Sequence, residues 1–216
     1  MLNLVIIALS SYLAGSFPTA ILVGKLSRGI DIRQHGSGNA GGTNVFRVLG
    51  WKLGVFVMLV DMLKGYLATV YLSQLSFFPG EPINPVYFSI LAGVFAIIGH
   101  IWTVFAGFKG GKGVGTAAGF LFGLIPVAAL GGMVIFFTLF FIFRYVSLGS
   151  VCAAIGIPSI LILQKFTTNP ELEPVLIYIT SAIAILIIYT HRSNIQRLLN
   201  GTENKITSLK GGNATK

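Results

Sequence analysis

The chain has 216 residues, 54% hydrophobic and 10% charged, with a formal net charge of +9 and a mean hydropathy of +0.84. Soluble domains carry about a quarter charged residues, so this composition excludes an ordinary soluble domain and points to a membrane protein. The basic excess lies between apolar runs, where lysine and arginine set topology, and it does not argue for nucleic acid.

Apolar runs fall at about 2–24, 53–78, 86–107, 117–143, 146–164 and 174–190; a span needs about 20 such residues. The first run begins without a basic segment and is long enough to cross, so it is expected to be a retained helix rather than a cleaved signal. Lys25, Arg28, Arg33, Arg47 and Lys52 place the 25–52 segment on the cytoplasmic side, the 79–86 loop goes outside, and Lys109 and Lys112 bring 108–113 back inside. A single tilted helix over 117–143 would then leave Arg144 and the basic tail outside. Pro126 and the pair Gly131-Gly132 offer a split into helices of about 117–130 and 132–144, each short for a full crossing. With the split, Lys165 is the one loop or tail cation left outside. The expectation is an all-α integral membrane protein of about seven transmembrane helices. Residues 1–199 would form a single membrane domain and 200–216 a polar cytoplasmic tail without a legible motif. Cys152 sits in an apolar stretch and reads as a small buried hydrophobe.

Residues His35 to Asn44 read HGSGNAGGTN, which contains G-x-G-x-x-G. A dinucleotide fingerprint needs a strand before it and a helix after it. Here a membrane run and a polar stretch precede it, and Asp61 falls inside an apolar run. The glycines Gly36, Gly38, Gly41 and Gly42 permit positive φ and close backbone approach. Successive N–H groups and a helix beginning near Thr43 would attract an anion, which favours phosphate over the alternative of a plain turn.

Two further polar stretches are predicted on the same membrane face. GHIWTVFAGFKGGKGVGT, from Gly99, lacks the hydroxyl residue a P-loop requires after its lysine. Lys112 among Gly110, Gly111 and Gly113 still suits a phosphate, whereas Lys109 reads as a topology anchor. HRSNIQR places His191 and Asn194 at i, i+3 on one helical face. They suit a polyol hydroxyl or a phosphate, or equally a plain helix terminus. His100, before Trp102, reads as an interfacial or supporting group. Asp61 and Lys64 are ionisable residues within a span, expensive unless paired or functional, and mutual pairing is expected.

No H-x-x-x-x-D occurs: five residues beyond His35, His100 and His191 stand Ala40, Phe105 and Gln196. No Cys/His spacing suggests a metal, and the inner face is short of carboxylates. A transporter of phosphate esters would suit Asp61 and Lys64, but no self-similarity relates the two halves. A scaffold would not need three glycine, hydroxyl and cation clusters.

GSGNAGGTNVFR, FKGGKGVGT and HRSNIQRL, in this order within a hydrophobic frame, resemble the bacterial acyl-phosphate–glycerol-3-phosphate acyltransferases of the PlsY type. The resemblance runs to about Leu199. It implies seven membrane helices with the active site open to the cytoplasmic face of the bacterial inner membrane, no cofactor and no metal. The implied reaction moves a fatty acyl group from acyl phosphate to the 1-hydroxyl of glycerol 3-phosphate, giving lysophosphatidic acid and phosphate. The donor's own phosphate is implied as proton acceptor. Carried over by motif, Ser37, Asn39, Thr43 and Asn44 with Gly36, Gly38 and Gly41 would cradle a phosphate. Arg47 and Lys112, with Gly110, Gly111 and Gly113, would hold the anionic substrates. His191 and Asn194 would position glycerol phosphate, and Ser150 (or Ser147) would add a polar contact. Where the common motif reads GSGNPGATN, this chain has Ala40 and Gly42, which loosens the loop without removing a chemical group. Expected partners are the two substrates, membrane lipid and a soluble acyl-phosphate-forming enzyme, with no nucleic acid.

Overall fold

The computed structural model describes residues 1–76, 78 and 84–206. Parts of the predicted outer loop and of the predicted tail, 77, 79–83 and 207–216, lie outside the described residues. Among the described residues every regular element is helical. They form two compact units, 1–124 and 125–206.

The first unit holds α1 (Leu2–Gly15), α2 (Thr19–Arg28), α3 (Gly42–Leu49), α4 (Trp51–Val70), α5 (Pro85–Ile101) and α6 (Val114–Leu124). The predicted 2–24 run is therefore two helices, divided before Pro18, whose missing N–H and ring disfavour helix continuation. The carbonyls exposed at this break are taken up by side chains. Thr103 donates its hydroxyl to Ser16 O, and Lys64 Nζ donates to Phe17 O at 3.2 Å. Helix α4 packs on α6 and α5, and α1 packs on α5. The α4–α6 contact is backbone-close: a β-carbon on Gly65 would lie 2.1 Å from Thr116 O, and one on Gly119 would lie 1.8 Å from Met62 O. Small residues at such crossings are how helices associate where lipid removes the hydrophobic drive.

The second unit holds α7 (Pro126–Phe143), α8 (Val146–Thr167), α9 (Pro174–Thr190) and α10 (Arg192–Leu199). Helix α8 packs against both α7 and α9. The predicted split of 117–143 occurs, but at Ile125 rather than near Gly131. Pro126 occupies the first turn of α7, where its fixed φ is favourable and its missing N–H costs nothing. Gly131 and Gly132 lie inside α7 and serve packing. β-Carbons there would stand 2.6 Å from Ile160 Cδ1 and 2.7 Å from Ile157 Cδ1 of α8.

Five helical segments are long and apolar enough to cross a membrane: 2–28, 51–74, 85–106, 126–143 and 146–167. The pair α9 and α10, bent by 63°, makes a sixth if it is one span. Helix α6, with 11 residues, reaches only about 16 Å at 1.5 Å per residue. Length and composition thus give five or six spans against about seven expected. The outward faces stay apolar, with Leu59, Leu63 and Leu67 of α4 and Val134, Phe137 and Phe141 of α7 exposed. This fits helices whose surroundings are lipid.

Candidate functional site

The first glycine-rich motif is a loop closed from below by one side chain. Asn44, in the first turn of α3 and 1% exposed, accepts from Ser37 N at 2.8 Å through Oδ1. Its Nδ2 donates to Ile32 O at 3.0 Å and His35 O at 2.9 Å. Gly36 and Gly38 take left-handed φ of 60° and 72°, and a β-carbon on Gly36 would fall 2.4 Å from Asn44 Oδ1. The turn therefore needs glycine for both conformation and space. Ser37 and Gly38 remain exposed, with Asn39 and Thr43 half-buried. Helix α3 starts at Gly42 after an extended Gly41, one residue before the predicted Thr43, and among the described residues no side chain caps it. Such a helix start suits an anion. Thr43 and Arg47, four apart, share one face of α3. Loop, helix start and hydroxyls are present as the sequence suggested, but no strand precedes them.

An ion pair anchors the approach to this loop. Asp31 accepts from Arg33 Nη2 at 2.7 Å and Nε at 3.0 Å, while Arg33 Nη1 donates to Ala106 O at 2.9 Å. The Arg33 side-chain bonds hold the Asp31 carboxyl at about 2, below the usual carboxylate range, against a smaller opposing effect of burial.

The second motif doubles back on the end of α5. Gly110 N donates to Ile101 O at 3.0 Å and Gly111 N to His100 O at 3.1 Å. Gly113 turns with φ of 88° into α6. Lys112 is half-buried between these glycines. A β-carbon on Gly111 would also lie 3.2 Å from Ala40 O, so the first and second motifs adjoin. Beneath them lies a cleft lined by Thr19, Ala40, Asp61, Lys64, His100 and Gly111 among others.

The cleft holds a charge cluster that sequence reading saw only in part. Asp61 Oδ1 lies 2.9 Å from Lys64 Nζ, 3.2 Å from Thr19 Oγ1 and 3.5 Å from His100 Nδ1. The Asp61–Lys64 pairing was expected. His100 was expected to be an interfacial or supporting group, and it is buried against Asp61. The 39-residue separation of 61 and 100 carries no periodic signal.

In the second unit, His191 stands at the bend between α9 and α10. Its Nδ1 lies 2.8 Å from Ile187 O. A carbonyl only accepts, so Nδ1 carries the proton, and in the neutral ring Nε2 is the acceptor. Asn194 donates through Nδ2 to Glu203 Oε1 at 2.7 Å. Ser147 donates to the same oxygen at 3.0 Å, and Arg197 Nε donates to Oε2 at 2.7 Å. Burial alone would raise the Glu203 pKa. The bonds from Asn194, Arg197 and Ser147 outweigh it and hold the carboxyl below its ordinary value. Ser150 donates its hydroxyl to Val146 O at 2.9 Å, within its own helix. Glu203 was missed because it lies in a tail with no motif. The available signal was that glutamate is scarce on the basic side of the chain.

Residues 5–201 match the family model described as glycerol-3-phosphate acyltransferase. The chain belongs to the glycerol-3-phosphate acyltransferase family. A relative named glycerol-3-phosphate acyltransferase from Chlorobium phaeobacteroides (strain DSM 266 / SMG 266 / 2430) is 48% identical, covering 95% of this chain and 97% of its own. One of the same name from Chlorobaculum tepidum is 46% identical, covering 96% and 98%. The fold is similar to the crystal structure of PlsY, an integral membrane glycerol 3-phosphate acyltransferase, in its glycerol 3-phosphate form. The TM-score is 0.82 at 36% identity, over 95% of this chain and 96% of that one. The lysophosphatidic acid form gives 0.79 at 36% identity, over 96% and 97%. This family member is accordingly an integral membrane protein. The family match reaches Gly201 and ends two residues short of Glu203.

Proposed function

We propose that this protein transfers a fatty acyl group from acyl phosphate to the 1-hydroxyl of glycerol 3-phosphate, giving lysophosphatidic acid and inorganic phosphate. Acyltransfer to glycerol 3-phosphate rests on family membership. The acyl-phosphate donor rests on the chemistry of the glycine loops. The observation that carries it is the Ser37–Gly38 turn, held over Asn44 at the start of α3 and adjoining the loop of Lys112. Backbone N–H groups, hydroxyls and two cations suit a donor whose activating group is itself a phosphate.

Ser37, Asn39 and Thr43, with Gly36, Gly38 and Gly41, receive a phosphate, and Asn44 keeps their turn in shape. Arg47 and Lys112 neutralise the two anionic substrates, with Gly110, Gly111 and Gly113 letting the lysine loop approach. His191 and Asn194 position glycerol 3-phosphate. Ser150 is assigned a minor polar contact. The hydroxyl oxygen attacks the acyl carbonyl, the bond from acyl carbon to phosphate oxygen breaks, and the departing phosphate takes the hydroxyl proton. An acyl phosphate has a good leaving group, so proximity and charge neutralisation supply much of the barrier reduction. No cofactor is required by this scheme.

The activity is assigned to residues 1–199 as one functional domain, embedded in the bacterial inner membrane and open to the cytoplasm. Helix α6 is a short seventh crossing in this reading, with the basic segments cytoplasmic. A soluble enzyme that forms acyl phosphate is the expected supplier. Replacing Lys112 by alanine should abolish transfer while the purified protein stays monodisperse and melts as wild type does. Transfer at the wild-type rate in Lys112→Ala would remove the phosphate-holding role of this loop.

A further inference from the structure

Residues 102–109 join α5 to the loop of Lys112 and have no part in the proposed reaction. Their backbone is tied down. Trp102 O accepts from the Tyr12 hydroxyl at 2.8 Å, Thr103 O accepts from Phe108 N at 2.8 Å, and Ala106 O accepts from Arg33 Nη1 at 2.9 Å. The Thr103 hydroxyl is itself bonded to Ser16 O.

The side chains are left open. Phe105 and Phe108 are 61% and 59% exposed, and Trp102 and Val104 are exposed with them, as is Lys109. Phe108 takes a left-handed φ of 60° directly after Gly107 at 63°, a conformation unfavourable for a bulky side chain. The fold therefore holds a phenylalanine in the open against a local backbone preference.

What covers these rings follows from where they stand. The apolar segment that includes α5 runs over 85–106 and is long enough to cross a membrane. The loop thus continues the lipid-facing surface of a span, and its pinned backbone cannot withdraw the rings. Aromatic rings with a neighbouring lysine match the bilayer interface, where the rings lie among headgroups and the ammonium meets lipid phosphate. A soluble protein that came and went would leave these apolar side chains in water between visits. The adjoining lipid is always there.

We propose that the 102–109 loop is a membrane-interface seat: Trp102, Phe105 and Phe108 lie in the headgroup region of the bilayer on the side of the glycine motifs, with Lys109 against lipid phosphate. The seat holds the Lys112 loop at the level where a phosphate-headed lipid presents its phosphate. The seating rests on the loop itself, and its consequence for the acyl donor rests on the function proposed above.

The test reads Trp102 directly. The chain has two tryptophans, Trp51 and Trp102, so Trp51→Phe isolates the second; if that variant does not fold, the difference between wild type and Trp102→Phe gives the same signal. The full chain is placed in vesicles of phosphatidylethanolamine and phosphatidylglycerol, with or without lipid brominated just below the headgroup. Trp102 emission should be quenched by the brominated lipid and shielded from acrylamide in the water. Quenching by acrylamide with no effect of the brominated lipid would overturn the proposal. Emission open to acrylamide in vesicles but shielded on adding soluble bacterial protein would also overturn it, in favour of a protein partner.

Phe105→Ser with Phe108→Ser should raise KM for palmitoyl phosphate in the same vesicles about tenfold, as when roughly one aromatic side chain loses its apolar cover. KM for glycerol 3-phosphate, which arrives from water, should not change. Leucine at both positions keeps apolar surface and should recover most of the loss. Equal rises in both KM values, or no rise in either, would overturn the role in donor delivery. Lipid quenching of Trp102 in a protein that acylates nothing would uphold the seat and overturn the functional reading instead.

Discussion

His100 and Gly111 are in direct apposition: a β-carbon at 111 would lie 2.2 Å from His100 Nε2. The ring has little room to yield, because its Nδ1 faces Asp61 and Gly111 N is bonded to its own carbonyl. The charge cluster in the cleft and the loop of Lys112 are therefore one packed assembly.

Gly111→Ala should lower both stability and activity. Overpacking costs about 1–3 kcal/mol, and relief requires the loop of Lys112 to move. Thermal melting in detergent and acyl-transfer rates should both fall, with the rate falling more than stability predicts.

The Asp61–Lys64–His100 cluster gives a second expectation. Asp61→Asn leaves Lys64 as a buried cation without its carboxylate, and breaking a buried pair costs about 3–5 kcal/mol. Asp61→Asn with Lys64→Met removes both charges and should melt higher than Asp61→Asn alone. Equal melting of the single and double variants would show that the pair is not the stabilising contact.

Asn44→Ala leaves Ile32 O, His35 O and Ser37 N without the partner they share. Of these only Ile32 O is fully buried, and an unsatisfied buried group costs about 1–3 kcal/mol. The glycine turn should loosen, seen as a raised KM for the acyl donor and faster hydrogen exchange at 36–38.

Much of this was legible locally. A glycine turn, a helix start at its end, and an i, i+3 pair such as Asp61 and Lys64 are encoded within a few residues. So was the break at Pro126, because proline acts on its own backbone. Gly131 and Gly132 misled because glycine marks either a break or a close contact, and only the facing Ile157 and Ile160 of α8 decide which. His100 against Asp61, and Glu203 beneath Asn194, were not legible. Both depend on where a distant segment returns, and neither residue stands in a periodic pattern.

Acid should unlock the Asp31–Arg33 clip at low pH only. The folded protein holds Asp31 at about 2 against an ordinary value of 3.8. Its contribution to stability is complete above about 4 and is lost as pH falls from there through about 2. The melting temperature of wild type should drop over that window more steeply than that of Asp31→Asn, with the two profiles parallel above it.

The most direct measurement offers labelled glycerol 3-phosphate to the purified protein with palmitoyl phosphate, palmitoyl-CoA or palmitoyl carrier protein in parallel. Lysophosphatidic acid and free phosphate should form with palmitoyl phosphate alone. Product from a thioester only, or from no donor while the protein remains folded, would contradict the account of two glycine loops built around a phosphate-activated acyl group.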